Sequence, residues 1–140
     1  MGRLKEDQIK AAFLPHLHEG EALEYWAAGI KQPNLILIPL LGLIASMLLT
    51  KNYLVGLTDR RLVVLQVKSL GNAEVRQIVD YSLDELGQME TKMSNGMLFT
   101  HLRIDDSEKP FAAKFHRAFS KTNRPNAMAI GEAIISVGAS

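Results

Sequence analysis

Polar and apolar positions recur along this chain with two periods, and one stretch between them has no charge at all. Near the start, Leu4, Gln8, Ile9, Ala12, Phe13 and Leu17 fall near one helical face, with Lys5, Glu6, Asp7 and Lys10 elsewhere. That spacing predicts an amphipathic helix over 3–18, kinked or ended by Pro15. His18 to Glu21 reads as a turn. Ala22 to Ile30 reads as a first strand, with Leu23, Tyr25 and Ala27 on one side. From Tyr53 the period becomes two, predicting strands at 53–57, 61–67, 73–80, 86–93, 97–105 and 109–116. Along the fifth of these, Met97, Phe99, His101 and Arg103 face one way, and Leu98, Thr100, Leu102 and Ile104 the other. Thr58-Asp59-Arg60, Leu70-Gly71-Asn72 and Asp105 to Glu108 supply turn residues, and Asn95-Gly96 predicts a type I′ hairpin turn. Asp84 and Glu85 are expected to be exposed at a strand start. From Arg124-Pro125 to Gly138 a helix is expected, with Met128, Ile130, Ala133, Ile134 and Val137 docked on the sheet.

The uncharged stretch is Leu35 to Leu49, 15 residues inside an insertion at 33–50. Leu, Ala and Met outnumber β-branched residues, so it is expected to be helical, with Pro39 in the first turn. Fifteen helical residues reach about 22 Å, short of a hydrocarbon core of ~30 Å, so a membrane span is not expected. Such a block still has to meet core, a partner subunit or lipid.

At 140 residues the chain is expected to form a single domain, 1–140, with an ordinary apolar fraction of 47%. A formal net charge of +1 argues against a nucleic-acid partner. The absence of cysteine removes disulfides, thiolate metal sites and cysteine nucleophiles. The charged first 20 residues contain no signal-like apolar segment, and a cytoplasmic location is expected. Phosphate loops, nucleophile elbows and dinucleotide fingerprints are missing from the sequence, so neither catalysis nor a cofactor is expected.

Seven strands followed by one amphipathic helix is the order of a pleckstrin-homology-like (PH-like) fold. The turn Glu19-Gly-Glu21, the segment Tyr53-Leu-Val-Gly-Leu-Thr-Asp-Arg-Arg-Leu-Val-Val-Leu65 and the hairpin beginning in Ile78 to Leu86 resemble the bacterial PH-like domain family. The resemblance covers 20–138. It implies an α+β fold: a bent seven-stranded antiparallel sheet, or partial barrel, closed by the C-terminal helix. The N-terminal helix and the apolar helical insertion after strand one are additions to that plan. The resemblance implies binding rather than catalysis. In phosphoinositide-binding PH domains, basic residues gather on the first two strands and the loop between them; here that loop is the apolar run.

Two uses of the run follow. It can pack against its copy in a neighbouring subunit, making a homo-oligomer through Leu37, Leu40, Leu41, Ile44, Met47 and Leu48. Alternatively it can enter one leaflet at the inner face of the membrane, with Lys31 and Lys51 at head-group level. A wholly apolar helix lacks the charged face of an interfacial anchor, which favours the first. Lys114, Arg117, Lys121 and Arg124 form the densest basic patch and are the candidates for contact with an anionic membrane or an unidentified acidic protein. Beside them, Phe115 and Phe119 are expected to anchor in the core. Thr58 and Asp59 suit a tight turn, with Arg60 and Arg61 reaching carboxylates or carbonyls. His16 and His18 would diverge on a helix and hold no metal, and His101 and His116 read as a cross-strand structural pair. Asp105, Asp106 and Glu108 lack the glycine and further ligands of a calcium loop and read as a solvated turn.

Overall fold

The computed structural model describes residues 3–32, 42 and 49–139. Strands β2 (Lys51–Thr58) and β3 (Arg61–Ser69) carry near-continuous apolar runs because both their faces are buried. Around them lie β1 (Leu23–Lys31), β4 (Asn72–Ser82), β5 (Glu90–Asn95), β6 (Phe99–Asp105) and β7 (Phe111–His116). They form one antiparallel sheet in the order β4-β3-β2-β1-β7-β6-β5. The seven strands and closing helix are those expected from the sequence.

The bend divides the apolar residues into two clusters. Inside it, Val55, Leu62, Tyr81, Leu102, Ile104 and Phe115 meet the C-terminal helix, here labelled α3 (Asn123–Ala139), through Ala127, Ile130 and Ile134. Ala127 takes the place expected of Met128, which is only half-buried. On the other face of β1–β3, Leu54, Val63 and Leu65 are covered by Leu4, Ile9, Phe13 and Phe119. The helix α1 (Glu6–Phe13) is therefore a second layer over the sheet. It is shorter than the expected 3–18, because Pro15 falls in a 3-10 turn at Leu14–His16. Glycine is needed at Gly56: a Cβ there would lie 2.7 Å from Phe13, so α1 rests directly on β2.

Strands β1 and β7 share a single paired position, Ile30 with Lys114. Beyond it the buried Asn123 side chain fills in for the ladder. It accepts from the Ala28 N–H at 2.8 Å and donates to the Ala28 carbonyl at 3.0 Å and the His116 carbonyl at 2.9 Å. Across the bend, the Tyr81 hydroxyl donates to the Lys109 carbonyl at 2.8 Å, and Lys109 Nζ donates to the Asp80 carbonyl at 3.0 Å. These bonds tie β4 to the turn before β7.

Three local expectations are corrected. The strand expected at 86–93 begins only at Glu90; before it, Leu83–Gly87 is a one-turn helix, α2. Its start is a capping box in which Ser82 Oγ accepts from the Glu85 N–H and Glu85 Oε1 from the Ser82 N–H, both at 3.1 Å. Asp84 and Glu85 thus lie in a first helical turn, where carboxylates favour the helix dipole. The Asn95-Gly96 connection is not type I′, since neither residue has the positive φ which that turn requires. Instead the Gly96 N–H donates to the Phe99 carbonyl at 2.7 Å and Thr100 Oγ1 to Asn95 Oδ1 at 2.6 Å, so β6 starts at Phe99 rather than 97. Finally, a bulge between Leu23 and Tyr25 moves Leu23 to the α1 side of the sheet, opposite Ala27.

Candidate binding surface

The residues of the Thr58–Arg61 turn converge on one buried carboxylate. Gly20, at φ +77°, turns the chain so that Glu21 points under the β2–β3 turn. Arg61 grips Glu21 with two parallel bonds, Nε to Oε2 and Nη2 to Oε1, each 2.9 Å. Thr58 Oγ1 donates to Oε2 at 2.6 Å and the His18 N–H donates to Oε1 at 2.9 Å. Thr58 Oγ1 also accepts the N–H groups of Arg60 and Arg61, both at 3.0 Å. Arg61 also donates from Nη1 to Asp80 Oδ2 at 2.9 Å and from Nη2 to the His16 carbonyl at 2.6 Å. The arginine beside it holds the Glu21 carboxyl down at about 2, and the same contact raises the Arg61 pKa. Every position around this carboxylate is filled from within the chain, so the cluster is a structural clamp. Arg60 stays half-exposed, with Nη1 on the Glu19 carbonyl at 3.2 Å.

The surface available to partners lies elsewhere. β1 ends at Lys31, just before the apolar insertion in sequence, and β2 begins at Lys51, just after it. Leu37, Leu40, Leu41, Ile44, Met47 and Leu48 lie outside the described residues. At the root of the insertion, Lys114 Nζ donates to Gln32 Oε1 at 2.5 Å and sits 4.4 Å from the centre of the Phe99 ring. Arg117 follows β7, and its N–H donates to the Leu98 carbonyl at 2.9 Å. Arg124 Nη2 donates to the carbonyls of Gly96 and Met97 at 2.7 and 3.3 Å. Arg117 and Arg124 therefore flank the β5–β6 turn, where Met97 is 80% exposed and Leu98 45%. Lys121 is exposed just before α3. Phe115 and Phe119 are buried.

A groove of about 890 Å³ runs over the outer face of β5–β7 beside the root of the insertion. Lys31, Lys92, His101, Arg103 and Lys114 line it. His101 pairs with Lys114 and His116 with Phe99, so the two histidines share a face without being direct neighbours. The Phe99 ring lies between them, edge-on to His116 at 4.9 Å and tilted to His101 at 6.3 Å. No helix among the described residues is long and apolar enough to cross a membrane.

Arg60 and Arg61 reach carbonyls and carboxylates as expected from the sequence, but the identity and burial of Glu21, and the β5–β7 groove, were not signalled there. Glu21 and Arg61 stand 40 positions apart, one in a polar turn and one at a strand start, and nothing in either local pattern signals burial.

No protein-family model matches the sequence, and no curated protein is significantly similar to it. Among solved structures, the chain is similar to a pleckstrin homology domain from Shewanella amazonensis, with 12% identity and a TM-score of 0.46, over 97% of this chain and 100% of that one. It is also similar to the hSac2 domain of the human phosphoinositide phosphatase Sac2, with 13% identity and a TM-score of 0.50, over 94% of this chain and 78% of that one. At such identities the likeness is one of architecture: with its strand order and closing helix, this chain has a PH-like fold.

Proposed function

We propose that the chain is a non-enzymatic binding and scaffolding module that self-associates through the apolar insertion 35–49. The observation that carries this reading is the run of 15 uncharged residues placed in the β1–β2 connection of a PH-like sheet. A helix of that composition has no polar face to turn toward water or head groups, so burial against its own copy relieves it most completely. A symmetric pairing would put the same residues, Leu37, Leu40, Leu41, Ile44, Met47 and Leu48, on both sides of the contact. PH-like folds host many kinds of partner, so the fold is compatible with this use without dictating it.

A second reading rests on the exposed Met97 and Leu98 with Arg117 and Arg124 beside them. An apolar tip flanked by cations suits an anionic bilayer, which would make the protein a peripheral module at the cytoplasmic face of the membrane. Light scattering after size exclusion, in detergent-free buffer, separates the two. Self-association predicts one uniform assembly that falls to the 15.5 kDa monomer in Leu41→Asp and Ile44→Asp, with circular dichroism unchanged. If both variants keep the parent mass, the insertion is not the interface. Vesicle binding that weakens with salt and on neutralising Arg117, Lys121 and Arg124 would favour the membrane instead.

A further inference from the structure

Two cross-strand rows build the floor of the β5–β7 groove. One runs Lys92, Arg103, Ala112; the next runs Ser94, His101, Lys114, Ile30. Residues directly opposite one another share a face, so the outward side of these three strands carries Lys92, Arg103 and Lys114, while Leu102, Ile104 and Phe115 fill the core behind it. Ala112 is the smallest side chain in the first row and leaves a trough between Arg103 and the end of β1.

We propose that this groove docks an extended acidic peptide segment of a partner protein. Four cations, Lys31, Lys92, Arg103 and Lys114, line it. The carboxylates facing them are Glu90 and Asp105, at the end of the β5–β6 hairpin away from its turn. Arg103 Nε holds Asp105 at 2.6 Å, and Lys92 Nζ lies 3.4 Å from Glu90 and 3.6 Å from Asp105. Lys92 and Arg103 are well exposed, at 58% and 63%, and such ion pairs contribute little stability. A partner's carboxylate can therefore replace Asp105 at small cost. Lys114 is already held in place by Gln32 and the Phe99 ring, so less side-chain freedom is lost when it binds.

The spread of the cations selects the shape of the partner. Neighbouring strands lie about 4.8 Å apart, so the rows from β5 to β1 span roughly 14 Å. Charges distributed over that width suit several carboxylates in series; a single phosphate would need donors converging on one point.

The test is fluorescence anisotropy with a labelled dodecapeptide of alternating glutamate and serine, at near-physiological ionic strength. Its control is the same peptide with glutamine for glutamate. The expected result is saturable binding of the acidic peptide only, weakened roughly tenfold or more by Arg103→Glu and by Lys114→Glu. Arg76→Glu, on the distant edge strand β4, should leave the affinity unchanged. Three results would overturn the proposal: no binding, equal binding of both peptides, or binding indifferent to Arg103→Glu and Lys114→Glu. A protein that ignores the peptide but takes up phosphatidylserine vesicles through these residues would also overturn it, in favour of a lipid surface. Light scattering on the same samples shows separately whether self-association stands or fails.

Discussion

Replacing Arg61 by methionine should uncover the full cost of the buried Glu21 carboxylate. The Glu21 side chain has no exposed surface in the folded protein, and Arg61 supplies two of its four hydrogen bonds. Arg61→Met leaves that charge with only Thr58 and the His18 N–H. Losing one member of a buried pair costs about 3–5 kcal/mol, so a large fraction of a normal domain's stability disappears. Glu21→Gln is milder, because the amide oxygen still accepts and Arg61 keeps Asp80 and the His16 carbonyl. The double variant removes the stranded charge and should be more stable than Arg61→Met alone, a coupling that a double-mutant cycle in urea measures. The pH dependence gives a second reading. The Glu21 carboxyl falls from 4.5 to about 2 on folding, a difference of about 3 kcal/mol in proton affinity. The unfolded chain binds this proton more readily, so the stabilisation is complete above about pH 4.5 and is lost as the pH falls from there toward 2. Urea midpoints across that window should fall more steeply for the parent than for Glu21→Gln. Parallel acid profiles, or a double variant no better than Arg61→Met, would refute the clamp.

Two further substitutions probe the joints of the fold. Asn123→Ala removes the three side-chain bonds that bridge β1 and β7 and should cost about 2–3 kcal/mol by denaturant unfolding, with faster amide exchange at Ala28. Gly56→Ala places a Cβ 2.7 Å from Phe13 and should lose about 1–3 kcal/mol, much of it recovered when Phe13→Leu relieves the crowding; no recovery would mean that α1 does not rest on β2 as described.

The strands were legible wherever burial is one-sided. In β6 the alternation of Thr100, Leu102 and Ile104 with His101 and Arg103 marks its faces without ambiguity. The reading failed where a local polar device outweighed the apolar period. Ser82 and Glu85 form a capping box, and their spacing was present in the sequence as the signal for α2. At Asn95-Gly96 the dipeptide suggested a two-residue turn, but the Asn95 side chain is taken by Thr100 and the loop is longer. The bulge after Leu23 left no trace in composition, because one inserted residue changes facing without changing residue type. The surroundings of the cations became visible only with the sheet register: Lys114 lies against Gln32 and the Phe99 ring, and Arg117 and Arg124 lie by the β5–β6 turn. Glu21 and Arg61 could be joined only by the fold, which brings the start of β1 beneath the β2–β3 turn.

Sedimentation equilibrium of the unmodified protein in detergent-free buffer, over a wide concentration range, tests the role of the insertion most directly. Self-association predicts a sharp multiple of 15.5 kDa that persists on dilution. A monomer at every concentration would contradict it.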